Sequence, residues 1–217
     1  MRKIGLFGGT FDPIHLGHLQ VAADAQRQLQ LDEVRFIPCH QPAHKAQPLA
    51  SAHHRVAMIT QGIQPYPSFR CDTCELERDQ PSYTLDTLIH LRNLLGHDIG
   101  FYWLIGADAF SQIDQWSRWE QLLDYTHFVV MERAGEKVQF TTPSLPIWLQ
   151  THRATIAEAI HQTHGHIIEC AVTPMTISSS DIRKRLMNRE SVDSLLAPSV
   201  IQYVQQHSLY TEPTPSL

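Results

Sequence analysis

Apolar residues in this chain fall into short dense runs, separated by longer stretches where they recur at helical spacing. Ile4 to Phe7 is the first run, extending a strand back to about Lys3, and Val34 to Ile37, stopped by Pro38, is the second. Between them, Leu16 to about Gln30 is amphipathic with few breakers. Strand, helix, strand in that order predicts a βαβ unit with parallel pairing and a right-handed crossover. A helix is expected from about Ser51 to Gln61, with Ser51 as N-cap. Phe69 to Glu77 alternates with polar residues and predicts a third, less buried strand. Leu85, Leu88, Leu91, Leu94 and Leu95 keep helical spacing, and Gly96 is placed to end that helix. Ile99 to Ile105 is almost continuously apolar and predicts a central parallel strand. Trp119 to Leu123 reads as helical, His127 to Met131 and Ile167 to Val172 as strands, and three serines at 178 to 180 precede a last helix start. The pattern is α/β, an open parallel sheet with helices on both faces. Residues 1–210 read as one domain without repeat or linker, and 211–217 as a frayed tail. Residues 134–153, with Pro143, Pro146 and Trp148, read as an irregular excursion.

Composition narrows the setting. The 217 residues can hold a sizeable core, and 42% hydrophobic with 18% charged is globular. The net charge is −5, so no large nucleic-acid footprint is expected, and an anionic ligand must be met by local positive groups. No apolar stretch is long enough to span a membrane and no secretory signal is visible, so a cytoplasmic setting is expected. Nothing in the chain sets an oligomeric state. The 14 histidines are scattered, and no protein metal site is expected. Cys71 and Cys74 have C-x-x-C spacing, but they lack the second half of a zinc site and sit in a strand-like stretch, so a structural role is expected.

The candidate chemistry collects where predicted strands end. After the first strand come Gly8, Gly9, Thr10 and Phe11, then His15 and His18 at a helix start near Ile14. Glycines let a ligand approach the backbone, and the first amides of a helix have no intrahelical partner, which makes an anion site. Two imidazoles three apart would add charge stabilisation there; spacing alone also allows a polar turn plus a helix-face histidine. His44 and Lys45 follow the second strand in a loop, Ser82 to Thr84 offer amides at another helix start, and Gly106 and Asp108 follow the central strand. Asp108 could hold a ribose hydroxyl or base amine, or cap the next helix. Trp116 could stack on a flat heterocycle, and Arg133 lies just past a strand. Ser178, Ser179 and Ser180 either cap their helix or, with Arg183, clamp phosphate.

Two of these stretches carry a resemblance. Residues 8–19, Gly-Gly-Thr-Phe-Asp-Pro-Ile-His-Leu-Gly-His-Leu, resemble the G-G-[ST]-F-D-P-x-H-x-G-H signature of the nucleotidyltransferase superfamily, and Ile177 to Arg183 resemble its I-S-[ST]-[ST]-x-I-R signature. Pro42 to Lys45, Pro81 to Thr84, and Gly106 to Asp108 running on to Gln115-Trp116 are similar to the bacterial nicotinate-nucleotide adenylyltransferase branch, and the resemblance covers Lys3 to about Tyr210. It implies a Rossmann-like sheet of nucleotidyltransferase type and adenylyl transfer from ATP to nicotinate mononucleotide, with Mg²⁺ carried on the ATP phosphates. His15, His18 and Arg183 are then expected to be catalytic. Gly8, Gly9, Thr10, Phe11, Gly106, Asp108, Ile177 and Ser178 to Ser180 are expected to line the ATP site. Tyr83, Thr84 and Trp116 are expected at the acceptor, with His44, Lys45 and Arg133 near its phosphate. One departure is Ser117, which follows Trp116 where some members carry an aromatic. Rival readings are another acceptor, either nicotinamide mononucleotide or phosphopantetheine, or a nucleotide sensor without turnover.

Overall fold

The computed structural model describes residues 1–41, 47–78, 81–133 and 144–211. These residues form a six-stranded sheet in the order β3-β2-β1-β4-β5-β6, every pair parallel. The strands are β1 Lys3–Gly9, β2 Glu33–Pro38, β3 Phe69–Cys71, β4 Gly100–Gly106, β5 His127–Arg133 and β6 Ile167–Val172. The helices are α1 Leu16–Leu29, α2 Ala52–Ile63, α3 Thr84–Leu95, α4 Ala107–Phe110, α5 Ser144–His152, α6 Ile156–Ala159, α7 Ser179–Met187 and α8 Pro198–Gln206. From β1 the chain winds outward to β2 and β3, then returns to the other side of β1 with β4. The order therefore reverses between β1 and β4, and a crevice opens at the carboxyl ends of those two strands.

Alternation along the strands divides the core between the two faces. Tyr102 and Leu104 of β4, with Val129 and Met131 of β5, pack under α1, α2, α7 and α8. Phe101, Trp103 and Ile105, with Phe128 and Val130, pack under α3, α4 and α5. Helices thus cover both faces, as the apolar runs predict. No helix among the described residues is long and apolar enough to cross a membrane.

Two expectations are corrected. The third strand ends at Cys71 rather than Glu77. Asp72 stops it: one carboxylate oxygen pairs with Arg35 at 2.9 Å and the other accepts from the Cys74 amide at 3.1 Å. That local bond draws the backbone into a turn in place of a ladder. Burial pushes the Cys71 thiol up to about 11 and Cys74 further, so neither is an activated nucleophile. Within the stretch expected to be irregular, Ser144–His152 is helical, with Leu145 fully buried; residues 134–143 lie outside the described ones. Trp119–Asp124 is helical as read, wound as 3₁₀ helix.

Two buried basic side chains, a guanidinium and a neutral imidazole, hold the edge of the sheet opposite the crevice. Arg92 of α3 is fully buried and donates to the carbonyls of Tyr125 (2.5 Å), Ile99 (2.6 Å) and Thr163 (2.9 Å), its guanidinium 3.9 Å above the Phe101 ring. His127 is completely buried, its Nδ1 accepting from the His166 amide at 3.2 Å and its Nε2 3.0 Å from the Gln162 carbonyl. Burial lowers its pKa from 6.5 to about 4, the Gln162 bond opposing and His166, His164 and Arg92 adding to the fall.

A folded pKa below the unfolded one contributes stability that is complete above 6.5 and is lost as pH falls toward about 4. The loss attributable to His127 is about 3 kcal/mol. Melting curves taken between about pH 7 and about pH 4 are expected to fall less steeply in His127→Gln than in the wild type. Parallel curves would exclude His127 as the source.

Candidate active site

The crevice at the ends of β1 and β4 is a cleft of about 910 Å³. Every residue expected at the ATP site lines it: Gly8, Gly9, Thr10, Phe11, His15, His18, Gly106, Asp108, Ile177, Ser178, Ser179, Ser180 and Arg183. Gln47, Pro48 and Leu49 form its lip, and Val21, Met131, Val172 and Met175 give it an apolar side.

The first wall is the end of β1. That strand runs on to Gly9, so Gly8 and Gly9 close it instead of forming the turn. A Cβ on Gly8 would stand 2.7 Å from Trp103 Cζ2, and one on Gly9 2.9 Å from Phe11 Cζ. These glycines make room for the chain's own rings as well as for a ligand. α1 begins at Leu16 rather than near Ile14, so His15 is its N-cap and not a first-turn residue. His15 Nδ1 accepts from the His18 amide at 3.3 Å, and the His15 amide donates to His18 Nδ1 at 3.3 Å. This is a reciprocal capping box built from two imidazoles. The rings stack with centroids 3.6 Å apart. A Cβ on Gly17 would lie 3.0 Å from His15 Nδ1, so the glycine between the histidines leaves space for that stack.

The facing wall is the start of α7. Ser178 caps it, accepting from the Asp181 amide at 3.1 Å, and its hydroxyl lies 3.1 Å from that of Ser180. Ser179 donates to the Pro13 carbonyl at 3.0 Å, and Arg183 Nη1 donates to the Asp12 carbonyl at 2.6 Å. The two sequence motifs are therefore bonded directly to each other. Asp108 is exposed in α4, and Gly106 is the N-cap there, so the capping alternative for Asp108 falls.

Behind the first wall lies a polar node that sequence reasoning did not single out. Asp12 is 3% exposed. Its Oδ1 accepts from Tyr210 OH at 2.6 Å and from the Ala50 amide at 3.1 Å; its Oδ2 accepts from the Leu49 amide at 2.8 Å and lies 3.7 Å from Arg183 Nη1. Burial, then Asp12, raises the Tyr210 phenol far above its ordinary value. Arg55, fully buried, donates to the Thr10 carbonyl at 2.8 Å and the Cys39 carbonyl at 2.7 Å, joining the loops that leave β1 and β2. Asp12 stood inside the first motif, but neither Arg55 nor Tyr210 carried any local signal.

Tyr83, Thr84 and Trp116 do not line this cleft. They lie beside it along the same sheet edge. Ser82 accepts from the His40 amide at 2.9 Å, and its own amide donates to the Gln41 carbonyl at 3.1 Å, which ties the start of α3 to the end of β2. Arg118 pairs with Asp86 at 2.5 Å, holding the Trp116 turn against the first turn of α3. Tyr83 is the N-cap of α3 and makes no side-chain cap bond. Glu75 is buried behind this corner, where Thr87 donates to it at 2.6 Å, and burial raises its pKa against the Thr87, Ser82 and Arg78 contacts. Arg133 ends β5 at the same edge, while His44 and Lys45 lie outside the described residues. Among the described residues no three His, Cys, Asp or Glu side chains gather as a metal site.

Residues 6–185 match the family model described as cytidylyltransferase-like. A probable nicotinate-nucleotide adenylyltransferase from Cellvibrio japonicus is 39% identical over 95% of this chain and 98% of its own, and one of the same name from Aeromonas salmonicida is 42% identical over 95% and 96%. The fold is shared with the Plasmodium falciparum nicotinic acid mononucleotide adenylyltransferase complexed with NaAD, at a TM-score of 0.73 and 22% identity over 97% of this chain and 98% of that one. With its two motifs converging on the crevice of a 3-2-1-4-5-6 sheet, the chain belongs to the cytidylyltransferase-like family and, within it, to the nicotinate-nucleotide adenylyltransferases.

Proposed function

We propose that this chain transfers the adenylyl group of ATP to nicotinate mononucleotide, giving nicotinate adenine dinucleotide and pyrophosphate in NAD biosynthesis, as a single cytoplasmic domain over residues 1–210. The observation that carries the reading is the convergence of His15, His18, Ser178 to Ser180 and Arg183 on one cleft at the β1–β4 switch point. A phosphate oxygen of the mononucleotide attacks the α-phosphorus of ATP. A new P–O bond forms, the bond to the α,β-bridging oxygen breaks, and pyrophosphate leaves with the electron pair. No protein nucleophile is required, so the chain's part is positioning and charge stabilisation.

The capping box defines the histidines' contribution. A backbone amide can only donate, so each Nδ1 that receives one must be unprotonated, and the neutral ring carries its proton on Nε2. Protonating either ring at Nδ1 would set N–H against N–H and break the cap. His15 and His18 thus serve as two neutral Nε2–H donors to phosphate oxygens, and the formal positive charge comes from Arg183, aided by the start of α7, while the His15, Leu16 and His18 amides of α1 are taken by the capping box and the Leu195 carbonyl. Mg²⁺ would fit as an ion carried mainly by the ATP phosphates, since of the two carboxylates lining the cleft Asp12 is already bonded to Leu49, Ala50 and Tyr210 and only Asp108 is exposed, with no three-ligand cluster among the described residues. When bound it supplies further neutralisation of phosphate charge. On the acceptor side, the Thr84 amide at the uncapped start of α3 would take the nicotinate carboxylate, with Trp116 against the pyridine ring and Tyr83 beside it. His44, Lys45 and Arg133 would hold the mononucleotide phosphate.

Pyrophosphate release is expected with ATP and nicotinate mononucleotide, and much less with nicotinamide mononucleotide or phosphopantetheine; no release with any acceptor would favour a sensor instead. His18→Ala is expected to lower kcat by about a hundredfold or more, the scale of losing one preorganised donor, and near-wild-type turnover would sink the role. In nitrogen-resolved NMR of the histidine rings at neutral pH, both His15 and His18 are expected as the Nε2–H form. An Nδ1–H signal on either ring would contradict the donor assignment.

A further inference from the structure

We infer that Tyr210, almost at the chain's end, is a positioning residue for Arg183, acting through the buried carboxylate of Asp12. The inference rests on the proposed role of Arg183 at the phosphates, and it adds a group that neither motif contains.

The geometry is specific. After α8 the chain turns back through Ser208 and Tyr210, both in the left-handed region (φ 48° and 60°), with the Leu209 amide bonded to the Val204 carbonyl at 3.0 Å. Residues with a Cβ avoid this region, so contacts elsewhere must hold the turn. The Tyr210 contact is its phenol, which donates to Asp12 Oδ1 at 2.6 Å across 198 residues of sequence. Asp12 in turn meets Arg183 twice, by the 2.6 Å bond to its carbonyl and by the 3.7 Å approach of the carboxylate. Two loop amides, Leu49 and Ala50, fill further acceptor positions on the same carboxylate. With three donors converging, the Asp12 side chain has one orientation, and the guanidinium resting on that residue is fixed with it. Without the phenol, one lone pair of a nearly buried carboxylate loses its partner. The cheapest replacement is the nearest cation, so Arg183 is drawn toward Asp12 and away from the cleft.

The hydroxyl thus both holds the C-terminal turn and fixes Arg183, and a double-mutant cycle separates the two effects. Tyr210→Phe keeps the ring and is expected to fold, to lower kcat roughly tenfold, and to leave KM for the acceptor within about twofold. Placed on Arg183→Ala, the same change is expected to alter kcat by less than about twofold. Full activity in Tyr210→Phe, or an equal loss with and without Arg183, overturns the inference. Should Tyr210→Phe fail to fold, Tyr210→Met, which fills part of the ring's space and also lacks the hydroxyl, is expected to show the same dependence on Arg183. If the wild type releases no pyrophosphate with any acceptor, the proposed reaction has failed on its own. ATP binding then replaces kcat in the same cycle: weaker binding in Tyr210→Phe only when Arg183 is present supports the positioning role, and unchanged or additive binding overturns it.

Discussion

Every group in the cleft takes its place from the parallel pairing of β1 with β2 on one side and β4 on the other. Parallel strands deliver all their carboxyl ends to one edge, and the reversal of winding at β1 leaves a gap there that no crossover covers. β1 is the strand whose end must serve both neighbours. Its last residues are glycines because Trp103 of β4 and Phe11 of the following turn already occupy the space a side chain would need. The packing that holds the sheet centre and the opening that admits a ligand are thus settled by the same residues.

Charge is handled locally. The chain carries a net −5, yet the cleft is lined by an arginine, two imidazoles and residues from the starts of two helices. The imidazoles cap the helix whose amides they stand beside, so the donors that would meet the phosphate are also held in orientation by the backbone. Asp12 places a carboxylate close behind this site, which would oppose an anion were it unpaired. The loop amides, the phenol and Arg183 occupy it instead, and a group that could repel the ligand becomes the fixed point that joins the first motif, the lip of the cleft and the C-terminal turn.

Much of this was legible in the sequence, and the physical reason differs from element to element. Ile99 to Ile105 read as a central strand because a strand buried on both faces can be apolar throughout, and β4 pairs on both sides. Phe69 to Glu77 misled because alternation continued past Cys71, while the side chain of Asp72 had a better partner in Arg35 and the Cys74 amide than in extending the ladder. Residues 144–152 were obscured by Pro146, by Pro143 just before them in the sequence and by the absence of a clear apolar stripe, although the buried Leu145 anchors that helix to the sheet.

By itself the sequence determined that the sheet is parallel with helices on both faces and which two motifs meet in the cleft, because strand period, helix period and two contiguous motifs are local properties of the chain, while the strand order came from the structure. Only the tertiary structure decided how those residues act. The His15–His18 cap depends on where α1 begins, which a shift from Ile14 to Leu16 changes. The bonds from Ser179 to Pro13 and from Arg183 to Asp12 depend on α7 crossing the end of β1. Arg55 and Tyr210 gain their places through contacts with backbone carbonyls and a carboxylate far away in the chain, and no pattern of neighbours encodes a partner 198 residues distant.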